Sequence, residues 1–158
     1  MKRGARVGGS ALAAAALAAT VAGCGGEPRG GAASPDAGPM TATRFVIDAP
    51  EKTNNGATLY MMIRVVDDSF AAESYQDAAA KVFGAERDKQ ILDSRPIFPG
   101  RERVTVPVEV GEKSDVAIYF FFTAPQGAWR QTLHHPLPAQ IDVELGEHAI
   151  ARVQPHKR

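Results

Sequence analysis

The sequence predicts an all-β domain, a β-sandwich with a short helical insertion, which follows an export signal and a flexible tether. Three observations predict this organisation. Apolar runs of strand length recur over the last two thirds of the chain and are separated by turns that contain Gly, Pro and Asn. One segment in the middle has helical spacing instead. The first 43 residues hold an Ala-rich apolar run and then a Gly-rich stretch.

Composition limits the possible functions before any motif is considered. A chain of 158 residues favours one folded domain, and 44% apolar with 23% charged residues is ordinary for a globular protein. The formal net charge is zero, so no basic excess is available to neutralise nucleic-acid phosphates. The single cysteine excludes an intramolecular disulfide and a thiolate zinc cluster. The fold must therefore be stabilised by its hydrophobic core.

The first 23 residues are predicted to be a secretory signal peptide. Lys2, Arg3 and Arg6 form a short positive region, and residues 7–23 follow without a charge, dominated by Ala and Leu. This is the order of regions in an export signal. The run is short and weakly apolar for a membrane span. An N-terminal core helix is the alternative, but the run has no polar face and glycines follow it directly.

Cys24 could by residue type be a nucleophile, a metal ligand, a core thiol or a lipid attachment point. The stretch Val21-Ala22-Gly23-Cys24 resembles the lipobox of bacterial lipoproteins, in which the thiol is diacylated and the chain is cut before the cysteine. Two or more acyl chains, at about 0.8 kcal/mol per buried CH₂, give stable anchoring where one does not. We therefore predict a lipoprotein signal peptide over residues 1–23 and a lipid on Cys24.

Removal of residues 1–23 would leave 15 Lys and Arg against 18 Asp and Glu, a net charge of −3. Such a chain has no charge attraction to anionic headgroups, so the lipid has to anchor it. In enteric bacteria an aspartate after the acylated cysteine retains a lipoprotein in the inner membrane. Gly25 stands at that position here and favours the outer membrane, with the domain facing the periplasm.

Residues 24–43 are rich in Gly, Pro, Ala and Ser and have almost nothing to bury. We predict that they form a flexible tether with a mean span of roughly 25 Å. The folded domain is then expected over residues 44–158.

Seven segments of this domain are predicted to be strands. Residues 58–66 and 116–123 are apolar on both faces and should lie in the middle of sheets. Residues 103–110 alternate strictly, and Pro107 places this strand at an edge or a bulge because proline has no amide donor. The other predicted strands are residues 44–48, 129–133, 140–145 and 148–153, the last two joined by a tight turn at Gly146-Glu147.

The segment from Ser69 to Leu92 is predicted to contain one or two short helices, with Ser69 or Ser74 as the N-cap.

Turns are predicted before two of the strands. The stretch Thr53-Asn54-Asn55-Gly56 is turn chemistry, since Asn and Gly tolerate positive φ, and Pro99-Gly100 suits a type II turn. Gln154 and the residues after it are expected to fray.

The search for catalytic groups points away from an enzyme. His134 and His135 are expected to face opposite sides at a polar strand end, so they would not share a metal. The pair Asp67-Asp68 is typical of a solvated turn. No spacing matches a catalytic motif, a cofactor site or a metal site. We interpret Trp129 as a core residue rather than an exposed recognition anchor.

The order of motifs from about Thr58 to Leu133 resembles the TssJ-type family, the outer-membrane lipoproteins of the bacterial type VI secretion system. A strand ends near Ile63-Arg64-Val65, and a helical insertion begins at Phe70. The remaining motifs are Leu92-Asp93-Ser94-Arg95, Phe98-Pro99-Gly100 before an alternating strand, and Gly127-Ala128-Trp129-Arg130 after an apolar one.

The resemblance implies a transthyretin-like β-sandwich with a helical insertion and no catalytic activity. It implies that the protein tethers the trans-envelope complex to the outer membrane by binding the periplasmic part of an inner-membrane TssM-type protein. In the family a protruding loop between the first two strands contributes to this contact. The matching segment is residues 49–56, and the partner-binding residues implied are Glu51, Lys52, Thr53, Asn54 and Asn55.

Two other functions stay open from the residues alone. One is a lipoprotein that binds a carbohydrate or a small solute in a concave pocket lined by Trp129 or Tyr60. The other is a hydrolase that uses His134 or His135.

Overall fold

The computed structural model of the chain describes residues 39–85 and 88–157. The predicted signal peptide, Cys24 and most of the predicted tether lie outside the described residues. Within the described residues, no helix has the length and apolar character needed to cross a bilayer. The elements are β1 (Met40–Asp48), β2 (Leu59–Val66), α1 (Tyr75–Phe83), β3 (Ile91–Ile97), β4 (Val104–Gly111), β5 (Asp115–Phe121), β6 (Arg130–Leu133), β7 (Gln140–Leu145) and β8 (Ile150–Pro155), with 3-10 turns at Thr53–Gly56 and Asp68–Ala72.

The eight strands form two four-stranded sheets, in the orders β4-β1-β7-β8 and β3-β2-β5-β6. All neighbours are antiparallel except β1 and β7, which run parallel. The inner faces of the two sheets meet in one core, where Phe45 and Ile47 of β1 lie with Ile118 and Phe120 of β5. The predicted β-sandwich is therefore confirmed, and burial of this alternating face is its main source of stability.

A second apolar cluster lies on the outer face of the β3-β2-β5-β6 sheet. Met62 of β2 and Tyr119 of β5 are fully buried there, because α1 and the 3-10 turn before it cover this face. Helix α1 contributes the buried Ala78, and Ser74 is its N-cap, with a capping box to Asp77. The helical insertion thus explains why the two central strands are apolar on both faces.

Pro107 lies on β4, an edge strand, as the sequence predicts. The other edge of the sandwich holds a strand that the sequence analysis did not predict. Asp93 and Arg95 form a paired side-chain contact on β3, with 2.7 Å between Arg95 Nε and Asp93 Oδ1, and Pro96 follows. These residues break the apolar alternation. Charges and a proline on an edge strand also oppose pairing with another chain.

Several boundaries differ from the prediction. β1 begins at Met40, four residues before the expected start, and four residues rather than two connect β7 to β8. The expectation that the chain frays at Gln154 is wrong, because Gln154 pairs with Asp142 in the sheet. His156 N–H also donates to Gln140 O at 3.0 Å.

The strand directions give the sandwich two distinct ends. At the end that we call the loop end lie the connections over residues 49–58, 98–103, 122–129 and 146–149. At the opposite end, the N-terminal end, the chain enters at Pro39, whose carbonyl accepts a hydrogen bond from Glu112 N–H at 2.9 Å. The nine residues of β1, at about 3.3 Å per residue, separate the two ends by about 30 Å.

Candidate partner-binding site

The connection between β1 and β2 is an ordered turn at the loop end. Asn54, Asn55 and Gly56 have φ values of 51°, 56° and 77°. This left-handed backbone is strained for most residues but accessible to Asn and Gly. The turn predicted from the Asn-Asn-Gly stretch is therefore confirmed, and its backbone explains the residue types.

Asn54 fastens this loop to two neighbouring connections. Its Nδ2 donates to Ala57 O at 3.1 Å and to Thr58 O at 3.3 Å, which closes the turn. Its Oδ1 accepts from Thr123 N–H at 2.7 Å, and its own N–H donates to Glu147 O at 2.7 Å. The loop is therefore held in one shape by bonds to the β5–β6 and β7–β8 connections.

The five implied partner-binding residues divide into two groups. Glu51, Lys52 and Asn55 are exposed, whereas Thr53 and Asn54 are each only 1% exposed. The exposed three are available to a partner, and the buried two build the loop. In the sequence both asparagines precede a glycine in a polar turn, so nothing separates the inward one from the outward one.

The turn after β3 packs against the loop. Gly100 N–H donates to Ala49 O at 2.8 Å, and Arg101 N–H donates to Phe98 O at 3.3 Å. Gly100 has φ 72°, as the second central residue of a type II turn requires, and a Cβ there would lie 3.4 Å from Glu51 Cα. The predicted turn is confirmed, and it begins at the exposed Phe98 and lies beside the loop.

A buried ionic network that no sequence motif predicts holds the helical insertion on the sheet. Arg64 Nη1 donates to Glu73 Oε1 at 2.7 Å and Nη2 donates to Gln90 Oε1 at 2.8 Å. Tyr119 Oη donates to the other oxygen of Glu73 at 2.8 Å, and Lys81 Nζ lies 3.1 Å from Glu73 Oε1. The partners of Arg64 are 9 and 26 residues away in sequence, so no local pattern reveals the network.

The same network determines the charge of its central carboxylate. Burial by itself raises the pKa of Glu73, but the hydrogen bonds from Tyr119 and Lys81 and the charge of Arg64 outweigh it. The pKa of Glu73 therefore lies below its ordinary value, and the group stays ionised. Burial, reinforced by the bond to Glu73, raises the pKa of the Tyr119 hydroxyl, so it stays a donor.

Arg130 makes the second attachment of the insertion. Its guanidinium donates to the carbonyls of Phe70, Ala71 and Glu73 at 3.2, 3.2 and 2.8 Å. It also lies 4.4 Å from the centre of the Phe70 ring, within cation–π range. Arg64 and Arg130 both belong to the motifs that carry the family resemblance, and the structure gives each the task of docking the insertion.

His134 and His135 do not face opposite sides, contrary to the expectation. Their Nδ1 atoms lie 2.6 and 2.7 Å from the two oxygens of Asp115. Both histidines follow the last residue of β6, Leu133, and strand alternation no longer applies there.

The region that the structure describes holds no group of three His, Cys, Asp or Glu residues placed to bind a metal ion. Asp67 accepts from Ser69 N–H at 2.9 Å in a solvated turn.

Trp129 is half-buried and packs between the two apolar clusters, as the core interpretation expects. Its ring centre lies 4.9 Å from that of Tyr75 and 5.8 Å from that of Tyr119. Its ring is therefore occupied in packing, which does not favour a solute site built on Trp129.

The family model described as "IglE, N-terminal domain" matches residues 60–145, which is more than half of the chain. The chain belongs to this family. It is a family of type VI secretion lipoproteins, so the predicted TssJ-type identity is confirmed. No curated protein sequence matches the chain.

Solved structures share the fold. The T6SS lipoprotein TssJ1 from Pseudomonas aeruginosa aligns with a TM-score of 0.56 at 21% identity, over 75% of this chain and 100% of that chain. Lip from Serratia marcescens, a membrane-bound component of the type VI secretion system, gives 0.55 at 17%, over 75% and 97%. A chain in the structure of the T6SS protein TssM C-terminal domain from EAEC gives 0.50 at 17%, over 71% and 99%. These similarities confirm that the chain has the β-sandwich fold of TssJ-type proteins.

Proposed function

We propose that this lipoprotein is anchored in the outer membrane through acylated Cys24 and binds the periplasmic part of an inner-membrane TssM-type protein. By doing so it tethers a type VI secretion membrane complex, without catalysis and without a cofactor. Membership in a family of type VI secretion lipoproteins supports the system. A chain of this fold in a structure named for the TssM C-terminal domain supports the partner.

The observation that carries the proposal is the position of the exposed β1–β2 loop. It lies at the loop end, whereas the chain enters the sandwich at Pro39 on the N-terminal end. Fifteen residues lead from Cys24 to Pro39 and, as the predicted flexible tether, would span about 20 Å on average. An anchored N-terminus would therefore present the loop away from the bilayer, toward a protein that crosses the periplasm.

Within the loop, Glu51, Lys52 and Asn55 are the residues that would touch the partner. Thr53 and Asn54 are buried and would act by holding these three in place. The two exposed charges have opposite signs, so charge reversal at both positions alters complementarity and leaves the net charge unchanged.

Localisation tests the anchor. Cys24→Ala should remove the acylation site, so that the protein leaves the outer-membrane fraction and secretion stops. The wild-type chain and a Cys24→Ala chain expressed at equal level are compared by membrane fractionation. Retention of the variant in the outer membrane would refute anchoring at this residue.

Binding tests the partner. The chain from residue 24, with Cys24→Ser so that it can be purified without lipid, is titrated with the periplasmic domain of the TssM-type protein. Reversal of both loop charges, Glu51→Lys with Lys52→Glu, should weaken binding at least about tenfold. Reversal of Glu112 and Lys113, an exposed pair at the N-terminal end, is the matched control and should change nothing. A folded wild-type chain that does not bind would refute the proposal.

A further inference from the structure

Four large apolar side chains are more than a third exposed among the described residues. They are Met40 at 55%, Tyr60 at 40%, Phe83 at 58% and Phe98 at 54%. Met40 starts β1 at the N-terminal end, whereas the three aromatic residues lie at the loop end of the β3-β2-β5-β6 sheet. We call Tyr60, Phe83 and Phe98 the aromatic patch.

The three aromatic residues lie at the loop end of the β3-β2-β5-β6 sheet, and the rings of Tyr60 and Phe83 meet on its outer face. Tyr60 points outward from the start of β2, and its ring meets that of Phe83, the last residue of α1, edge-on at 5.1 Å. Tyr60 pairs with Pro96 of β3, and Phe98 comes directly after the last residue of β3, at the same end of the sheet. The buried neighbours Leu59 and Ile97 point the other way, into the core. The exposed rings are therefore not required to fill the core.

The patch is continuous with the β1–β2 loop. Phe98 opens the turn whose Gly100 N–H donates to Ala49 O, and this turn packs against Glu51. Phe98 therefore connects this turn to the end of β3, the strand that pairs with Tyr60. A partner that covers the loop from the side of β3 covers Phe98 as well.

Size and position restrict what can cover the patch. Three half-exposed rings offer on the order of 300 Å², well below the roughly 800 Å² per partner of a stable interface. The patch therefore suits the apolar centre of a larger contact better than a self-contained dimer surface. It also lies at the end opposite Pro39, where the chain leads to the predicted lipid, so a position against the anchoring membrane is unfavourable.

We propose that the aromatic patch is the apolar centre of the partner-binding surface, with the loop residues Glu51, Lys52 and Asn55 as its polar rim. This rests on the proposed function and names where its binding energy comes from. The partner is a periplasmic protein domain that offers an apolar recess to Phe83 and Phe98. Aromatic residues are enriched at the centres of protein interfaces, and a few central side chains carry most of the binding energy there.

The test measures binding of single variants to the periplasmic domain of the TssM-type protein by calorimetry, with the chain from residue 24 carrying Cys24→Ser. Phe98→Ser and Phe83→Ser should each weaken binding by about tenfold or more. Met40→Ser removes an equally exposed apolar side chain at the other end and should stay within twofold of wild type. Thermal melts monitor folding, and Phe98→Ser is the decisive variant because Phe98 is exposed and lies in a turn outside the strands and α1.

The apolar centre also predicts the salt dependence. Since burial of rings dominates, raising the salt concentration from 50 to 300 mM should change the wild-type Kd by less than about threefold. A larger loss with salt would show that the charged rim dominates and would overturn the proposal.

The outcomes separate this inference from the proposed function. If the wild-type chain does not bind, both fail. If wild type binds, the charge-reversed loop weakens binding, and Phe98→Ser and Phe83→Ser stay within twofold, only the aromatic patch is overturned. If Phe98→Ser leaves partner binding intact and abolishes a concentration-dependent self-association seen by sedimentation, the patch belongs to a second copy and the inference is likewise overturned.

Discussion

The buried side chain of Asn54 accepts a hydrogen bond from the backbone N–H of Thr123 at 2.7 Å, across 69 residues of sequence. This bond joins the β1–β2 loop to the β5–β6 connection. A residue that the family resemblance assigns to the contact surface is thus, together with Thr53, the least accessible part of the loop. Asn54 would contribute to binding by holding the exposed loop residues in place.

We expect Asn54→Ala to lower the free energy of unfolding by about 2–5 kcal/mol. The left-handed backbone costs about 1–2 kcal/mol in a residue such as Ala, which lacks the polar side chain that makes Asn tolerant of it, and the lost side chain leaves the Thr123 N–H without its acceptor, at about 1–3 kcal/mol. Asn55→Ala is the matched control, since Asn55 has the same backbone region but an exposed side chain. It should lose only the backbone part. Urea denaturation of both variants measures the two losses in the free energy of unfolding. Equal losses would show that the side-chain hydrogen bonds of Asn54 do not contribute to stability.

Removal of Glu73 should destabilise the domain more strongly than any surface change. Glu73→Ala removes the nearest carboxylate from Arg64, whose side chain is 6% exposed, and leaves its buried charge with only a distant one, Asp88 at 3.9 Å. We expect a loss of about 3–5 kcal/mol in urea denaturation. Replacing both partners, Arg64→Met with Glu73→Leu, should recover most of this loss because no buried charge remains. A double variant as unstable as Glu73→Ala would contradict this explanation.

The parts of the fold that the sequence predicts are those with a local pattern. The apolar faces of β2 and β5 predict central strands, and Pro107 predicts an edge, because each signal lies within one segment. β3 escaped prediction because Asp93, Arg95 and Pro96 protect an exposed edge and break the alternation. The residues that suit this strand to the edge of the sheet are therefore the same ones that remove the strand pattern from its sequence.

The candidate site shows the same limit. The Asn-Asn-Gly stretch predicts a turn with positive φ, but only the distant Thr123 and Glu147 determine that Asn54 faces inward. The two histidines illustrate the opposite failure. Strand alternation predicts opposite sides for the two rings, but it does not apply past the end of β6, where both rings lie against Asp115.

The N-cap of α1 provides a local test of the helical insertion. Ser74 Oγ accepts from Asp77 N–H at 3.2 Å, so Ser74→Ala should cost about 1 kcal/mol. The cost should appear as faster hydrogen exchange of the α1 amides, while the strands of the other sheet keep their protection. Ser69→Ala, a change of the same kind in the exposed 3-10 turn, is the control. Equal exchange of α1 in both variants would mean that the cap does not limit opening of the helix.

Asp115 should make the stability of the domain sensitive to acid. The backbone N–H of His135 and the rings of His134 and His135 hold the pKa of Asp115 well below its ordinary value of about 3.9. A carboxylate whose pKa is lower in the folded state stabilises the fold fully above the pKa of the unfolded chain. That stabilisation is lost as the pH falls through the folded pKa.

The free energy of unfolding should therefore decline as the pH is lowered from 5 to 2, and Asp115→Asn should reduce this decline. The variant cannot lose a charged contact by protonation, so its stability profile should be flatter than that of wild type over this range. Asp68→Asn removes an exposed carboxylate near the same end and should keep the wild-type slope. Urea denaturation at each pH gives the comparison. An unchanged slope in Asp115→Asn would mean that other carboxylates cause the acid sensitivity.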